Sequence, residues 1–258
     1  MSDTDIIFSS PLIEGIILKR NSQFTMDVMV EDEVVKCHCP TTGRIGELDL
    51  PGIPCLLSNS DSANRKTRFT VEAVSLDLPQ QEQKTWIGIN QNAANRYVEH
   101  FLMKRQFPEM VSDYDDIQRE RWLGQSKLDF LAGDTYLEVK TPLQNLILDY
   151  PPHIKRKKIT PFNSTDRFIK HINELANSLE NHQRAILLSC FIYSCSSYKV
   201  PLNAPNSDYI HEQVKRCIKK GVEIWQVNFT ITKFGVSLER YYNTTNNFLD
   251  GGSALQGL

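Results

Sequence analysis

Apolar and polar residues alternate strongly near the start of the chain. Phe24, Met26, Val28 and Val30 alternate with Thr25, Asp27 and Met29, the period of a half-buried strand. Glu31 and Asp32 turn the chain into a second run, Val34 to His38. Further strand-like runs cover Cys55 to Ser58, Phe69 to Leu76 and Trp86 to Ile89. Five or six short strands with Gly and Pro turns over residues 13–89 suit a small barrel. The period changes from about Asn92. Ala94, Tyr97, Val98, Phe101 and Leu102 recur at helical spacing, and Pro108 closes that helix. Ile117 to Trp122 predicts a strand. Phe168, Ile169, Ile172, Leu175, Ala176 and Leu179 mark an amphipathic helix, with Ser164 or Thr165 as its cap. The apolar run Ala185 to Tyr193 reads as a buried strand. Ile210, Val214, Cys217 and Ile218 predict a helix ending at Gly221, and Val222 to Ile231 a final strand. The chain thus divides into a barrel domain over 1–89, an α/β domain over 90–242 and a polar, flexible tail over 243–258.

The most informative stretch is SKLDFLAGDTYLEVKT, Ser126 to Thr141. Gly133-Asp134 between two alternating runs is a two-residue hairpin signal. With those two residues as the turn, Ala132 faces Thr135, Phe130 faces Leu137, Asp129 faces Glu138, Leu128 faces Val139 and Lys127 faces Lys140. One face then carries Leu128, Phe130, Leu137 and Val139, which suits a core. The other carries Asp129, Glu138 and Lys140. Carboxylates directly opposite on a sheet sit roughly 5 Å apart and repel. A divalent cation between them, Mg²⁺ or Mn²⁺, resolves that repulsion and polarises a phosphodiester for hydrolysis. Asp129 and Glu138 are the expected ligands, with the Val139 carbonyl as a further one. Lys140 is placed to position the attacking water and offset transition-state charge. The plainer reading of Lys140 is a salt bridge to Asp129 or Glu138.

Composition adds bounds. At 258 residues the chain can build real cores, and its net charge of −2 advertises no nucleic acid. Local charge is more telling. Between His153 and His171 stand six cations, Lys155, Arg156, Lys157, Lys158, Arg167 and Lys170, against one acid, Asp166. The patch either grips phosphates or is a solvated loop. Lys170 and His171 lie early in the helix, with its apolar face expected elsewhere: Lys170 is placed to reach a phosphate, and His171 either does the same or caps a polar surface. Arg65, Lys66 and Arg68 give the barrel a smaller patch that reads the same two ways. No secretory leader and no membrane span are expected. Six cysteines without a framework read as reduced thiols in a cytoplasmic protein. Cys37-His38-Cys39 reads as part of a structural turn rather than a zinc site, because neighbouring strand residues point apart.

The spacing D-x8-E-x-K resembles that of the PD-(D/E)XK nuclease superfamily. The predicted order α-β-β-β-α-β-α-β is the one such a core requires. Phe8 to Leu12 (FSSPL), Gly15, Leu18 and Arg20 come first in a longer series. His38-Cys39-Pro40 with Thr42 to Ile45, Pro51-Gly52 and Arg65 to Glu72 follow. Trp86 to Asn90, Asn95, Arg119 to Arg121, Lys170-His171 and Glu174-Leu175 complete it. Together these resemble the sugar fermentation stimulation protein family over residues 8–231. The resemblance implies an N-terminal OB-like β-barrel followed by a nuclease-like α/β domain with a mixed central sheet. By that likeness Glu120, Asp129, Glu138 and Lys140 match nuclease positions, and Lys170 a basic residue of the following helix. Glu120 either completes the metal shell or is an exposed strand residue. Thr41 stands where the family has Asn, and Lys127 where it has Arg.

The expected function is a metal-dependent nuclease, most readily an endonuclease on DNA, with RNA left open. It is expected to work alone or with protein partners in a larger DNA-processing assembly. The alternative is a DNA-binding regulatory protein that does not cut.

Overall fold

The computed structural model describes residues 5–41, 43–59, 66–124, 126–157, 166–198 and 207–249. Arg65, Lys158 and the expected caps Ser164 and Thr165 lie outside the described residues.

The first part of the chain gives β1 (Ile6–Ile7), β2 (Ile13–Arg20), β3 (Thr25–Val30), β4 (Glu33–His38), β5 (Pro54–Asn59), β6 (Phe69–Val74) and β7 (Ile87–Gly88). Neighbouring strands run β4-β3-β2-β5-β6, and β6 returns to pair with β4 in parallel through Cys37↔Phe69 and His38↔Thr70. Five strands thus close a barrel, as in an OB fold. Its interior holds Ile17, Met26, Val28, Cys37, Cys55, Leu57 and Val71, each fully buried.

The second part follows as α1 (Gln91–Met103), β8 (Ile117–Leu123), β9 (Ser126–Ala132), β10 (Thr135–Lys140), α2 (Asp166–Ser178), β11 (Arg184–Phe191), α3 (Ser207–Lys219), β12 (Glu223–Ile231), β13 (Gly235–Asn243) and α4 (Asn246–Leu249). The sheet order is β1-β13-β12-β11-β10-β9-β8. Strands β10, β11 and β12 are parallel and the outer ones antiparallel, so the sheet is mixed. Helix α1 covers one face, packing on Phe130, Leu137, Ile186, Leu188 and Phe229. Helices α2 and α3 cover the other, on Tyr136, Ala185, Leu187 and Ile224. On α2, Ile172 and Leu175 are fully buried, each worth about 1.5–3 kcal/mol relative to exposure.

Three features depart from the sequence pattern. Strand β1 lies within the segment expected for the barrel, yet it pairs with β13 of the other sheet, Ile6↔Val236. Strand β13 itself was not legible, because a bulge at Asn228/Phe229 interrupts its register with β12 and breaks the alternation. Of the tail, Asn243 ends β13 and Phe248 of α4 is buried against the α3 side; residues 250–258 lie outside the described ones.

The barrel and the α/β unit share their cores. Leu12, Leu56 and Ala73 cluster with α1 and the sheet. Leu143, Leu146, Phe191 and Tyr193 cluster with the barrel interior. Gly88 N–H donates to Ile192 O at 2.8 Å. A Cβ on Gly88 would lie 2.3 Å from Ile192 Cγ2, so only glycine permits this approach.

Candidate active site

The hairpin forms in the expected register. Ala132 pairs with Thr135, Leu131 with Tyr136 and Phe130 with Leu137. Gly133 supplies φ +54 at the turn, and a Cβ there would sit 2.6 Å from Asp113 Cβ. Beyond Phe130 the pairing stops. Asp129 Oδ2 accepts the Val139 N–H at 2.7 Å, so a side chain stands where a strand partner would. On its other side β9 pairs Arg119↔Phe130 and Arg121↔Leu128, omitting the Glu120–Asp129 pair between them. Glu120 has φ +50, a conformation that is uncommon for a residue with a Cβ and kinks the strand.

This break corrects the expected faces. Phe130, Leu137 and Val139 do share the α1 side. Leu128 instead joins the α2–α3 side with Tyr136 and Ile172. Glu138 and Lys140 share a face, as expected. Asp129 lies in the opening where the strands part, reaching towards α1, whose Asn95 Nδ2 donates to Asp129 Oδ1 at 2.7 Å.

Glu138 is 2 % exposed. Its Oε1 accepts from Lys140 Nζ at 2.5 Å and from His171 Nδ1 on α2. Lys140 Nζ and His171 Nδ1 are 3.3 Å apart. Both donors therefore converge on one oxygen. The other, Glu138 Oε2, is buried without a hydrogen-bond partner. Burial pushes Glu138 towards protonation, but the hydrogen bond from His171 and the charge and hydrogen bond of Lys140 outweigh it, so its pKa is lowered. Asp129 shifts the other way. Burial and the Glu138 charge raise its pKa, against the Val139 N–H, Lys140 and Asn95. Two neighbouring carboxylates pushed apart in this way share one field, and a bare acceptor oxygen is the kind of group a hard cation takes.

Helix α1 is tied to the barrel. Asn90 caps it by accepting from Ala93 N at 3.1 Å and donates to Glu72 Oε2 at 2.7 Å. Ser58 Oγ donates to Glu72 Oε1 at 2.6 Å. Hydrogen bonds thus anchor the start of α1 to the barrel, and Asn95, a turn further along the helix, reaches Asp129.

The other expected site residues fall elsewhere. Glu120 is exposed and pairs with Lys127 at 3.4 Å. Among the described residues no group of three His, Cys, Asp or Glu is gathered as a metal cluster, and Glu120 stands with Lys127. His171, expected as a surface phosphate contact, is 7 % exposed and holds Glu138 instead. Its position was readable: it stands three residues after Phe168 and four before Leu175, on the helix's inward side. The expected backbone grips lie along the barrel. Leu48 and Arg156 form an antiparallel bridge, Arg156 pairs with Glu47 and Lys157 with Asp49 at 2.6 Å. Lys155 O accepts from Asp49 N at 3.0 Å. Lys66 and Arg68 are exposed on the barrel, the Arg68 guanidinium 5.0 Å from the Phe69 ring centroid. Lys170 is exposed on α2 beside His171. All six cysteines are buried and free.

Residues 18–89 match the domain described as the SfsA N-terminal OB domain, and residues 92–235 the sugar fermentation stimulation protein RE domain. The sugar fermentation stimulation protein homolog of Pseudoalteromonas atlantica is 33% identical over 244 residues, spanning 90% of this chain and 97% of that one. Its counterpart in Microcystis aeruginosa is 29% identical over 235 residues, spanning 87% and 91%. Among solved structures, Pyrococcus furiosus SfsA in complex with Ca²⁺ superposes with a TM-score of 0.70 at 20% identity, covering 92% of this chain and 97% of that one. That likeness is one of fold.

Proposed function

The chain belongs to the sugar fermentation stimulation protein family, and from that premise we propose that it is a divalent-metal-dependent nuclease. Its best-supported substrate is DNA, cut internally, either by the chain alone or within a DNA-processing assembly. The observation that carries this reading is Glu138. Its Oε2 is buried and unpartnered while two cationic or N–H donors crowd Oε1. The Ca²⁺ held by the archaeal structural neighbour supports a divalent ion at this kind of fold.

Asp129 and Glu138 would hold the ion, Mg²⁺ or Mn²⁺, with the Val139 carbonyl as a further ligand. Bound there, such an ion polarises the scissile phosphate and lowers the pKa of an attacking water. Asn95 and the Val139 N–H fix the Asp129 carboxylate. His171 fixes Glu138 from α2. Lys140, beside Glu138, orients the water and offsets charge on the phosphoryl oxygens. Lys170 supplies positive charge from the exposed side of α2, and Lys66 and Arg68 from the barrel. The working units in this reading are the barrel to residue 89 and the α/β unit over 90–242, with β1 serving the second sheet. No helix among the described residues is long and apolar enough to cross a membrane, and a cytoplasmic site of action fits the free cysteines.

A second reading, a DNA-binding regulatory protein that does not cut, draws on the outward turn of Glu120. The experiment that separates them incubates plasmid, single-stranded DNA and RNA with Mg²⁺ or Mn²⁺. The parent chain is compared with Asp129→Ala and Lys140→Ala. Cutting by the parent alone supports the enzyme; binding without cutting in either metal supports the regulator.

A further inference from the structure

Beside the carboxylates, between the β8–β9 hairpin and the start of α2, lies a cleft of about 510 Å³. Trp122, Ser126, Lys127, Arg167, Lys170 and His171 line it, with Asp166 the single acid. Three observations there bear on a ligand. Trp122 is 66 % exposed, whereas Trp86 and Trp225 are 8 % and 4 % exposed. Beside the cations of the cleft, an indole left in water offers a flat π-face of the kind on which bases stack. Ser126 is 5 % exposed, and its Oγ is buried with no hydrogen-bond partner, an arrangement costing about 1–3 kcal/mol unless a ligand atom completes it. His171 forms part of the cleft wall and at the same time holds Glu138, so one imidazole separates an occupant of the cleft from that carboxylate.

We infer that this cleft receives one unstacked nucleotide of a nucleic-acid strand, with its base on the Trp122 indole, its phosphate between Arg167 and Lys170, and Ser126 Oγ bonding a phosphate oxygen. The inference deepens the nuclease reading and rests on it for the neighbouring chemistry. A duplex keeps the faces of its bases covered. Only a single strand, or a locally opened one, can offer a base to an indole. Cations and an aromatic platform in one groove are the pattern that binds single strands without sequence preference. Lys127 Nζ lies 5.6 Å from the Trp122 ring centroid, with its charge shared with Glu120 at 3.4 Å. The substrate class assigned to the site is therefore single-stranded or unpaired nucleic acid rather than intact duplex.

The test uses the full chain in EDTA, so that cleavage plays no part. Tryptophan emission is followed while oligothymidylate, a duplex of equal length and an abasic strand of equal length are added. Base stacking on one aromatic residue is worth about 5- to 150-fold in affinity. The oligothymidylate is expected to quench the exposed tryptophan and to bind more tightly than the abasic strand by a factor in that range. Trp122→Ala should abolish both the quenching and the preference, while Trp122→Phe keeps the preference. Equal binding of the abasic strand, quenching that persists in Trp122→Ala, or a preference for duplex each overturns the assignment. Base-dependent quenching in a chain that cuts nothing with Mg²⁺ or Mn²⁺ leaves the cleft standing and removes the nuclease. Cutting without base-dependent binding does the reverse.

Discussion

Asn95 and Asp129 meet across the boundary between helix and sheet: the Asn95 amide on α1 donates to Asp129 Oδ1 at 2.7 Å. The carboxylate is thereby held from two directions, since its second oxygen takes the Val139 N–H at 2.7 Å. Removing Asn95 leaves one oxygen without its donor. Asn95→Ala is expected to weaken Mn²⁺ binding by about 10- to 100-fold, the usual cost of losing a residue that orients a ligand. The chain should remain folded. Calorimetric titration with Mn²⁺ measures it, and an unchanged affinity would refute the orienting role.

Asp129 and Glu138 should respond to pH with opposite signs. The folded chain raises the pKa of Asp129, mainly through burial and then through the charge of Glu138. The cost of its ionised form is therefore full above the folded value and vanishes below the unfolded one. Asp129→Asn is expected to raise the metal-free melting temperature at neutral pH by about 2–4 °C, with the gain shrinking in acid. Glu138 has its pKa lowered, its burial outweighed by His171 and Lys140. Its contribution is full above the unfolded value and is lost as the pH falls through the folded one, so Glu138→Gln should lower the melting temperature at neutral pH. Saturating Mn²⁺ reverses the ranking of parent and Asp129→Asn, because only the parent gains from the ion. Thermal scans over a pH series, with and without Mn²⁺, read both signs.

His171 is buried and holds Glu138 Oε1. His171→Ala removes that donor and opens a cavity under α2. Loss of stability by about 1–3 kcal/mol is expected, with a fall in cleavage rate larger than any fall in DNA affinity. Comparing kcat and KM separates the two. A fall confined to DNA affinity would return His171 to the phosphate-gripping role that its surroundings argue against.

Arg156 and Lys157 face Glu47 and Asp49 on the barrel. Exposed pairs of this kind contribute about 0–1 kcal/mol. Arg156→Ala is therefore expected to leave the melting temperature within a few degrees and DNA affinity within about twofold. Lys170→Ala, on the cleft, should weaken DNA binding and lessen its salt dependence. Parallel titrations at two salt concentrations compare them.

Much of this arrangement was written locally. The turn at Gly133-Asp134 set the register through Phe130 and Leu137, because a two-residue loop leaves strands few alternatives. The helical stripe from Phe168 to Leu179 placed α2, and even carried the inward position of His171. What was not local was not readable. The left-handed backbone at Glu120 and the reach of Asn95 depend on an edge strand and a helix far apart in sequence. They turned Leu128 away from Phe130 and set Asp129 between the strands. The basic run 155–157 has the composition of a phosphate grip, but the acids that neutralise it lie about a hundred residues earlier.

The close seat of Gly88 on Ile192, with apolar clusters that run from barrel to sheet, joins the two halves of the described chain through one continuous interior. Heating should give a single endotherm, not two. A strand held on the barrel would then make the distant carboxylates harder to melt, and an ion held by the carboxylates would do the same for the barrel, each half reporting the other's cargo with no hinge between them.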